Sequence, residues 1–238
     1  MNERQALKQG LMQIGTQDYT QAVEHLLHFS ELLLEKNRVM NLTAVTDPME
    51  VVTRHFLDCA VLAPRMIPGE TVLDVGTGAG FPGLPLAILC PETEFILIDA
   101  LRKRIDFLND GIEALGLHNV RAVHARAEEF AKEHRERFDL AVSRAVADLS
   151  MLSELTLPLV RVGGRFYAMK ASDCEEEVQR AAEAVRLLGG GAAGIEQYTV
   201  PVSEIPRAVV CVEKIHATPA KYPRRFAKIS SAPLGGGK

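Results

Sequence analysis

The sequence is poor in aromatic residues and in clustered metal or disulfide ligands. Its 238 residues include no tryptophan, and aromatic residues make up only 5%. This scarcity argues against a wide aromatic platform for single-stranded nucleic acid. The four cysteines, which form no CxxC pair, are Cys59, Cys90, Cys174 and Cys211. Their spacing predicts neither a disulfide framework nor a zinc site, and no acid or cysteine completes a metal site around His25 and His28.

The sequence also lacks an excess of basic charge and any long apolar run. Lys and Arg number 27 against 31 Asp and Glu, so the formal net charge is −4. A protein that coats nucleic acid indiscriminately is basic overall, so any such contact here must come from local patches. No apolar run approaches the length of a membrane helix, and the polar start lacks the apolar core of a signal peptide. We therefore expect a cytoplasmic protein without a membrane or metal partner. We also expect a monomer, although the sequence does not determine the oligomeric state.

Three parts are predicted along the chain. Residues 1–68 show apolar side chains at helical spacing, with Pro48 just inside a helix start, and predict a helical extension. Residues 69–216 alternate short apolar runs with helical segments, which predicts βαβ units. Residues 217–238 are basic, rich in Pro and Gly, and predict a tail.

The alternating part predicts an α/β fold built on a doubly wound, mostly parallel sheet of seven strands. The last two apolar runs are separated by too few residues for a parallel crossover. We therefore predict that the last strand is antiparallel.

The strongest local signal is the glycine-rich segment from Asp74 to Gly83, which follows the first predicted strand. Open parallel sheets bind ligands at the carboxyl ends of their strands, and glycines let a ligand approach the backbone. Pro82 is predicted as the first residue of the following helix. The spacing of Gly78 and Gly80 with the final glycine matches the dinucleotide pattern GxGxxG, which is weak evidence by itself.

Asp74 favours a different cofactor from a nicotinamide dinucleotide. It stands two residues before Gly76 and completes the pattern D-x-G-x-G-x-G. A carboxylate beside a pyrophosphate would be repelled, whereas S-adenosylmethionine carries an ammonium and a sulfonium. The segment therefore predicts S-adenosylmethionine, bound close to Gly78.

Two later strand ends offer further contacts to this cofactor. Asp99 ends the second predicted strand, where a carboxylate can accept hydrogen bonds from both ribose hydroxyls. Ala127 and Glu128 follow the third strand, at the adenine end of the pocket in this fold. Glu128 is equally well explained as a favourable acid in the first turn of a helix.

The sequence lacks the catalytic motifs of several methyl acceptors. Val142–Val146 stands where enzymes that methylate exocyclic amino groups carry an Asn- or Asp-Pro-Pro-aromatic motif. Cys174 precedes three glutamates, which opposes the thiolate that pyrimidine carbon 5 requires. Lys170 offers one lysine of a ribose 2′-hydroxyl site, but no Asp follows the fourth strand. Guanine N7 has an exposed lone pair and no proton to remove, so N7 chemistry fits these absences.

Six segments appear together in an order that is specific. They are Asn41–Ala44, Arg54–Asp58, Asp74–Gly83, Leu101–Arg104, Ser143–Ala147 and Lys221–Arg224. Over nearly the whole chain they resemble RsmG (GidB), the bacterial 16S rRNA guanine-N7 methyltransferase family. The resemblance implies a class I (Rossmann-like) methyltransferase fold with an N-terminal helical extension. It also implies a guanosine near the decoding centre as the substrate, in 16S rRNA or the small ribosomal subunit.

The same resemblance implies particular site residues. The cofactor contacts it implies are at Gly76, Phe81, Ala127, Glu128 and Arg144. We expect Arg144 to be catalytic, at the seam between cofactor and guanine, where its planar guanidinium can donate to O6, a phosphate or the cofactor. The chain departs from the family's KYPRK-A-G pattern after Arg224 but stays basic there.

Two basic patches are expected to bind the RNA backbone. Residues 214–238 contain six Lys or Arg and no acid, and Tyr222 and Phe226 interleave them as stacking surfaces. Three more basic residues open the helix that follows the second strand. The predicted RNA contacts are Arg102, Lys103, Arg104, Lys221, Arg224 and Arg225. A solvated tail and a charged helix face are the simpler interpretation of the same residues.

Two other functions remain open from the residues alone. A small-molecule methyltransferase can use the same fold, since fold does not determine substrate, but it leaves the basic tail unexplained. A nucleotide-binding module without turnover would also use the glycine-rich segment.

Overall fold

The computed structural model of the protein describes residues 1–15, 19–144 and 146–235. Ala145 of the Ser143–Ala147 segment and Lys238 with the last two glycines of the basic tail lie outside the described residues. The α-helices are α1 Glu3–Ile14, α2 Thr20–Met40, α3 Pro48–Val51, α4 Asp58–Ala60, α5 Gly83–Leu89, α6 Arg102–Ala114, α7 Ala127–Phe130, α8 Leu149–Thr156, α9 Glu175–Leu187 and α10 Phe226–Ser231. The strands are β1 Thr71–Val75, β2 Glu94–Asp99, β3 Val120–His124, β4 Phe138–Arg144, β5 Val160–Ala171, β6 Gly194–Thr199 and β7 Pro206–Glu213.

The seven strands form one sheet in the order β3-β2-β1-β4-β5-β7-β6. β2 pairs with β3, β1 with β4, and β4 with β5 in parallel, whereas β7 runs antiparallel to β5. The predicted α/β fold, with seven strands and an antiparallel last strand, is therefore confirmed. The strand order reverses between β1 and β4, and this is the position where such sheets bind ligands.

The helix starts follow local sequence signals. Asn2 and Gln5 form a reciprocal capping box at α1. The Asp47 side chain accepts a hydrogen bond from the backbone N–H of Glu50, and Pro48 is the first residue of α3, as predicted. Pro82 differs from its prediction by one residue. Its carbonyl accepts the first hydrogen bond of the helix, from Leu86, so it precedes α5 as the N-cap.

The helix predicted to start at Pro48 is not a regular α-helix throughout. Between α3 and α4 the chain forms a π-helix at Val52–Leu57. π-Helical turns are rare and are often found at functional sites. No helix among the described residues is both long enough and apolar enough to cross a membrane.

The chain forms two compact units. The first comprises Met1–Glu70, Thr77–His124 and Thr199–Ile205, and the second comprises Thr71–Gly76, Ala125–Tyr198 and Pro206–Lys238. An aromatic cluster of Phe29, Phe56, Phe81 and Phe107 lies in the core of the first unit. The predicted boundaries after residues 68 and 216 stay predictions.

Candidate functional site

In the first unit, a carboxylate at the end of β2 binds the glycine-rich loop. The backbone N–H of Gly78 donates to Asp99 Oδ2 at 3.0 Å. Gly78 has φ +62°, a backbone conformation that only glycine adopts without a steric penalty. The loop geometry and the position of Asp99 therefore depend on each other.

Asp99 has fewer lone pairs for a ligand than its position suggests. Oδ2 also accepts from Arg104 Nη1 at 3.2 Å, and Oδ1 accepts from the backbone N–H of Leu101 at 2.8 Å. A carboxylate offers about four lone-pair positions, and three of them are used here. While the Arg104 contact persists, Asp99 has room for one ribose hydroxyl and not for two.

Thr77 is a residue of this loop that sequence reasoning missed. Its side chain is buried, and its Oγ1 has no hydrogen-bond partner among the described residues. A buried hydroxyl without a partner costs free energy, so such groups are usually satisfied by water or a ligand. The loop therefore suits a ligand with hydrogen-bonding groups. A polar residue between two glycines was the available sequence signal.

The segment Arg54–Asp58 of the helical extension packs against the same loop. The His55 ring lies 4.5 Å from the ring of Phe81, centroid to centroid, and its Nε2 is 2.9 Å from Thr43 Oγ1. Phe56 also contacts Phe81, at 6.2 Å between centroids. The Phe81 side chain is thus part of the core.

In the second unit, the ends of β1 and β4 lie side by side. Asp74 is fully buried and pairs in register with Val142. Ser143 Oγ donates to the Val75 carbonyl at 2.8 Å, which fixes the ends of the two strands together. Arg144, the last residue of β4, is half-buried.

The residue after the undescribed Ala145 covers the first glycine of the loop. A Cβ at Gly76 would lie 2.6 Å from Val146 Cγ2, and Gly76 has φ +72°. Only glycine permits this close approach. Val146 remains 38% exposed and presents an apolar surface at the end of β4.

The loop after β4 is held from β5 and α9. Lys170 Nζ donates to the Ala147 carbonyl at 2.8 Å and to Glu177 Oε1 at 2.6 Å. The same Glu177 oxygen accepts from the backbone N–H of Leu149 at 2.6 Å. Asp148 accepts from the backbone N–H of Ser150 and caps α8. Both acids near this loop are therefore already bonded.

The basic residues of α6 differ in their availability. Arg104 binds Asp99, and Arg102 Nη2 donates to His124 Nδ1 at 3.1 Å, while Lys103 is exposed. Of the three predicted RNA contacts on this helix, Arg104 is thus already bound to Asp99.

The residues predicted as a tail are anchored to the second unit. Arg135 donates to the backbone carbonyls of Thr218, Pro219 and Tyr222, and Tyr222 is buried. Lys214 is fully buried, with Nζ 2.7 Å from Thr218 Oγ1. Burial lowers the pKa of Lys214 to about 8, although Glu136 opposes this shift from 3.4 Å.

Arg224 is the most firmly held residue of this segment. Its guanidinium forms a bidentate contact with Glu154, with Nη2 to Oε2 at 2.6 Å and Nε to Oε1 at 2.8 Å. Its backbone N–H also donates to Oε1 at 2.8 Å, and Glu154 is 0% exposed. The hydrogen bond to Glu154 raises the pKa of Arg224. Arg224 is therefore half-buried and bound to Glu154, whereas Lys221 and Arg225 are exposed.

Comparison with protein families gives a direct match. The model of the GidB family, described as rRNA small subunit methyltransferase G, matches residues 22–204. The chain belongs to this family.

Individual relatives of the GidB family are similar over nearly their full length. The ribosomal RNA small subunit methyltransferase G of Alkaliphilus metalliredigens is 42% identical over 98% of this chain and 100% of its own. That of Clostridium perfringens (strain 13 / Type A) is 41% identical over 96% of this chain and 97% of its own.

Other solved structures share the fold. M. jannaschii TYW2 in complex with AdoMet aligns with a TM-score of 0.55 and 17% identity, over 66% of this chain and 75% of that chain. TrmN from Thermus thermophilus aligns with a TM-score of 0.51 and 23% identity, over 69% and 53% of the two chains. At these identities the likeness extends to the fold alone.

The structure shows what three of the segments that resemble the GidB family do. Arg54–Asp58 supplies the His55 and Phe56 rings that contact the loop residue Phe81. Asn41–Ala44 supplies Thr43, which contacts His55. In the third segment, Ser143 and Arg144 are the last two residues of β4. Among the described residues no group of three or more His, Cys, Asp or Glu side chains is arranged to hold a metal ion.

Proposed function

We propose that this chain transfers a methyl group from S-adenosylmethionine to N7 of a guanosine in 16S ribosomal RNA. Its membership of the rRNA small subunit methyltransferase G family carries the reaction and the RNA class. The contacts of Asp148 and Glu177 are consistent with N7 as the acceptor atom, since both acids take part in bonds that hold the loop after β4 and N7 has no proton for a base to remove. We further propose that the chain acts as a monomer in the cytoplasm.

The proposed cofactor contacts come from the glycine loop, from the ends of β1, β2 and β4, and from the start of α7. S-adenosylmethionine, when bound, supplies the electrophilic methyl group. The residues proposed to hold it are Asp74, Gly76, Thr77, Gly78, Phe81, Asp99, Ala127, Glu128 and Arg144. Asp74 provides the acidic wall that suits a cationic ligand, and Asp99 accepts from a ribose hydroxyl. With no base to provide, the protein accelerates the reaction by holding acceptor and methyl donor in line.

Fewer basic residues are proposed to bind phosphate than the sequence suggests. Lys103, Lys221 and Arg225 are exposed, and among the described residues the Arg102 side chain donates to His124 alone. We assign these four side chains to the RNA backbone. Arg104 and Arg224 instead position the glycine loop and the C-terminal segment through Asp99 and Glu154.

A methylation assay tests the proposed function. The protein is incubated with labelled S-adenosylmethionine and either 16S rRNA or small subunits from a strain that lacks the methylation. We expect labelled 7-methylguanosine after nuclease digestion. Label that appears only in a small-molecule acceptor would support the small-molecule methyltransferase, and cofactor binding without transfer to any acceptor would support a binding module.

Substitution of Arg144 with Ala is expected to lower kcat by about 100-fold, because loss of one positioning contact at a reacting centre has effects of this size. The fall in rate is measured in single-turnover experiments with the labelled cofactor. Arg137→Ala is the matched control, since Arg137 is exposed at the opposite end of β4. Equal losses in the two variants, or a wild-type rate for Arg144→Ala, would exclude the role.

Substitution of Lys170 with Met is expected to lower kcat by roughly 10- to 100-fold while the KM for S-adenosylmethionine changes little. The variant removes the bonds from Nζ to Ala147 and Glu177 that hold the loop after β4. Steady-state kinetics at saturating RNA separate kcat from KM. Lys170→Arg should restore part of the rate. A parallel loss of rate and of melting temperature, without rescue by arginine, would indicate a structural role alone.

A further inference from the structure

A cleft of about 420 Å³ lies in the second unit, between α7 and residues 223–227 of the anchored C-terminal segment. Its volume falls within the range of small-ligand sites. Its lining includes Glu128, to which the proposed function assigns a cofactor contact. The cleft therefore borders one of the residues proposed for the reaction. It also contains Arg225, already assigned to the RNA backbone, and Arg126, Lys132 and Phe226, which have no role in the proposed function.

Phe226 gives the cleft an aromatic surface. The residue is 40% exposed, whereas every other Phe and Tyr of the chain is buried or half-buried. The Arg126 guanidinium lies 5.6 Å from the ring centroid. An exposed aromatic ring costs hydrophobic free energy unless it has a ligand, and a ring beside a guanidinium is a typical surface for stacking a nucleic acid base.

Three cations of the cleft are free of ion pairs within the described ranges. Arg126, Lys132 and Arg225 line it, are exposed, and take part in no salt bridge. Glu128 and Glu129 also line it, so the local balance is three cations against two acids once Arg224 is paired with Glu154. This local excess of positive charge occurs in a chain whose net charge is −4.

The wall of the cleft that carries Arg225 and Phe226 is rigidly built. The Arg224 backbone and guanidinium both bind the buried Glu154 carboxylate, and Arg224 Nη2 also donates to the Ala232 carbonyl at 3.0 Å. Burying a carboxylate is costly, and such pairs are weak evidence for stability but can define one conformation. Here the pair holds the two residues that follow it at the edge of the cleft.

We propose that this cleft binds one unpaired nucleotide of the RNA substrate, outside the methylated guanosine. The base stacks on Phe226, and the flanking phosphates bind Arg126, Lys132 and Arg225. An unpaired base is required, because the base faces inside a duplex are already stacked and cannot reach the ring. The inference rests on the proposed function for the identity of the RNA, but the cleft has its own binding readout.

Fluorescence anisotropy with a labelled single-stranded RNA of seven nucleotides tests the cleft in the full chain. Phe226→Leu is expected to weaken binding by about 5- to 150-fold, the range measured for loss of one stacked base, while Phe226→Tyr binds as the wild type does. The double variant Arg126→Gln, Lys132→Gln should reduce the slope of log affinity against log salt by roughly 1.4, at about 0.7 per lost phosphate contact. Lys228→Gln, an exposed lysine of α10 that does not line the cleft, should lower neither the affinity nor the slope to this extent.

Two further binding experiments distinguish a nucleotide site from a part of the cofactor pocket and from a site for duplex RNA. Saturating S-adenosylhomocysteine should leave RNA binding unchanged. Displacement of the RNA would identify the cleft as part of the cofactor pocket and overturn the proposal. A blunt RNA duplex that binds as tightly as the single strand, and equally well to Phe226→Leu, would also overturn it.

The proposed function can fail independently. If the wild type binds the single-stranded RNA through Phe226 but forms no 7-methylguanosine in 16S rRNA, the methylation assignment is wrong and the nucleotide cleft stands. If the wild type methylates 16S rRNA while the Phe226 and Arg126/Lys132 variants keep both the wild-type KM for RNA and the wild-type affinity for the oligonucleotide, the cleft is not a nucleotide site and the enzyme assignment stands.

Discussion

Replacement of Arg224 with Ala is expected to lower the free energy of unfolding by about 3 kcal/mol, the low end of the range for removing one partner of a buried ion pair. The variant leaves the Glu154 carboxylate, which is 0% exposed, with only the backbone N–H of residue 224 as a donor from this segment. Because Arg224 itself is 21% exposed, water can reach part of the contact and the upper end of the range is not expected. Chemical denaturation measures the loss, which corresponds to a fall in melting temperature of roughly 6–12 °C for a chain of this size.

Arg225→Ala is the matched control for this prediction. Arg225 is adjacent in sequence but exposed and free of ion pairs in the described part of the chain, so its loss should change stability by no more than about 0.5 kcal/mol. A double variant that also carries Glu154→Ala should be more stable than the sum of the two single losses implies, because the residues are coupled. Equal stabilities of the Arg224 and Arg225 variants would contradict the assigned role of the ion pair.

Replacement of Gly78 with Val is expected to weaken S-adenosylmethionine binding by more than about 100-fold, a change of about 2.7 kcal/mol or more. A β-branched residue at φ +62° costs about 1–2 kcal/mol in backbone strain alone. The strain acts on the loop whose N–H binds Asp99, and the side chain takes up space at the proposed cofactor site. The fold should survive, since domains are typically stable by about 5–15 kcal/mol. Isothermal titration calorimetry with S-adenosylhomocysteine measures the affinity.

Gly69→Val separates cofactor loss from backbone strain. Gly69 has φ +82°, and a Cβ there would meet nothing within 4 Å. This variant should carry the same strain as Gly78→Val and bind the cofactor normally. Normal binding by a folded Gly78→Val would show that the loop is only structural, and binding of NAD in place of S-adenosylhomocysteine by the wild type would overturn the cofactor assignment.

Local signals were sufficient where the structure depends on neighbours in sequence. The Asp47-Pro48 helix start and the antiparallel β7 were predictable from a few adjacent residues each. The left-handed backbone at Gly78 was also predictable, because glycine spacing after a strand constrains a turn. The π-helix at Val52–Leu57 was not predictable in this way, since the same apolar spacing fits a regular helix.

The candidate site was only partly predictable, because some of its features depend on residues that are distant in sequence. Sequence reasoning selected Asp74, Asp99 and Arg144 because each falls at the carboxyl end of a predicted strand, and the structure places each at or next to the end of a strand. Their contacts with the cofactor stay predictions. Sequence reasoning missed Thr77, whose significance depends on a hydroxyl being buried without a partner. It also missed Arg126 and Lys132, which lie far in sequence from the segment that completes their cleft.

The sequence by itself determined the strand–helix alternation, the glycine loop with its acidic neighbour, and the family to which the chain belongs. These features depend on residue types at short, regular spacing. Only the tertiary structure decided which basic residues are free to bind a ligand. Arg224 and Arg225 are equivalent as sequence, yet Arg224 pairs with a glutamate 70 positions away and Arg225 faces a cleft. Whether a charged side chain can bind a ligand depends on whether another residue already pairs with it in the folded protein. For Arg224, the packing of α8 against the C-terminal segment supplies that residue.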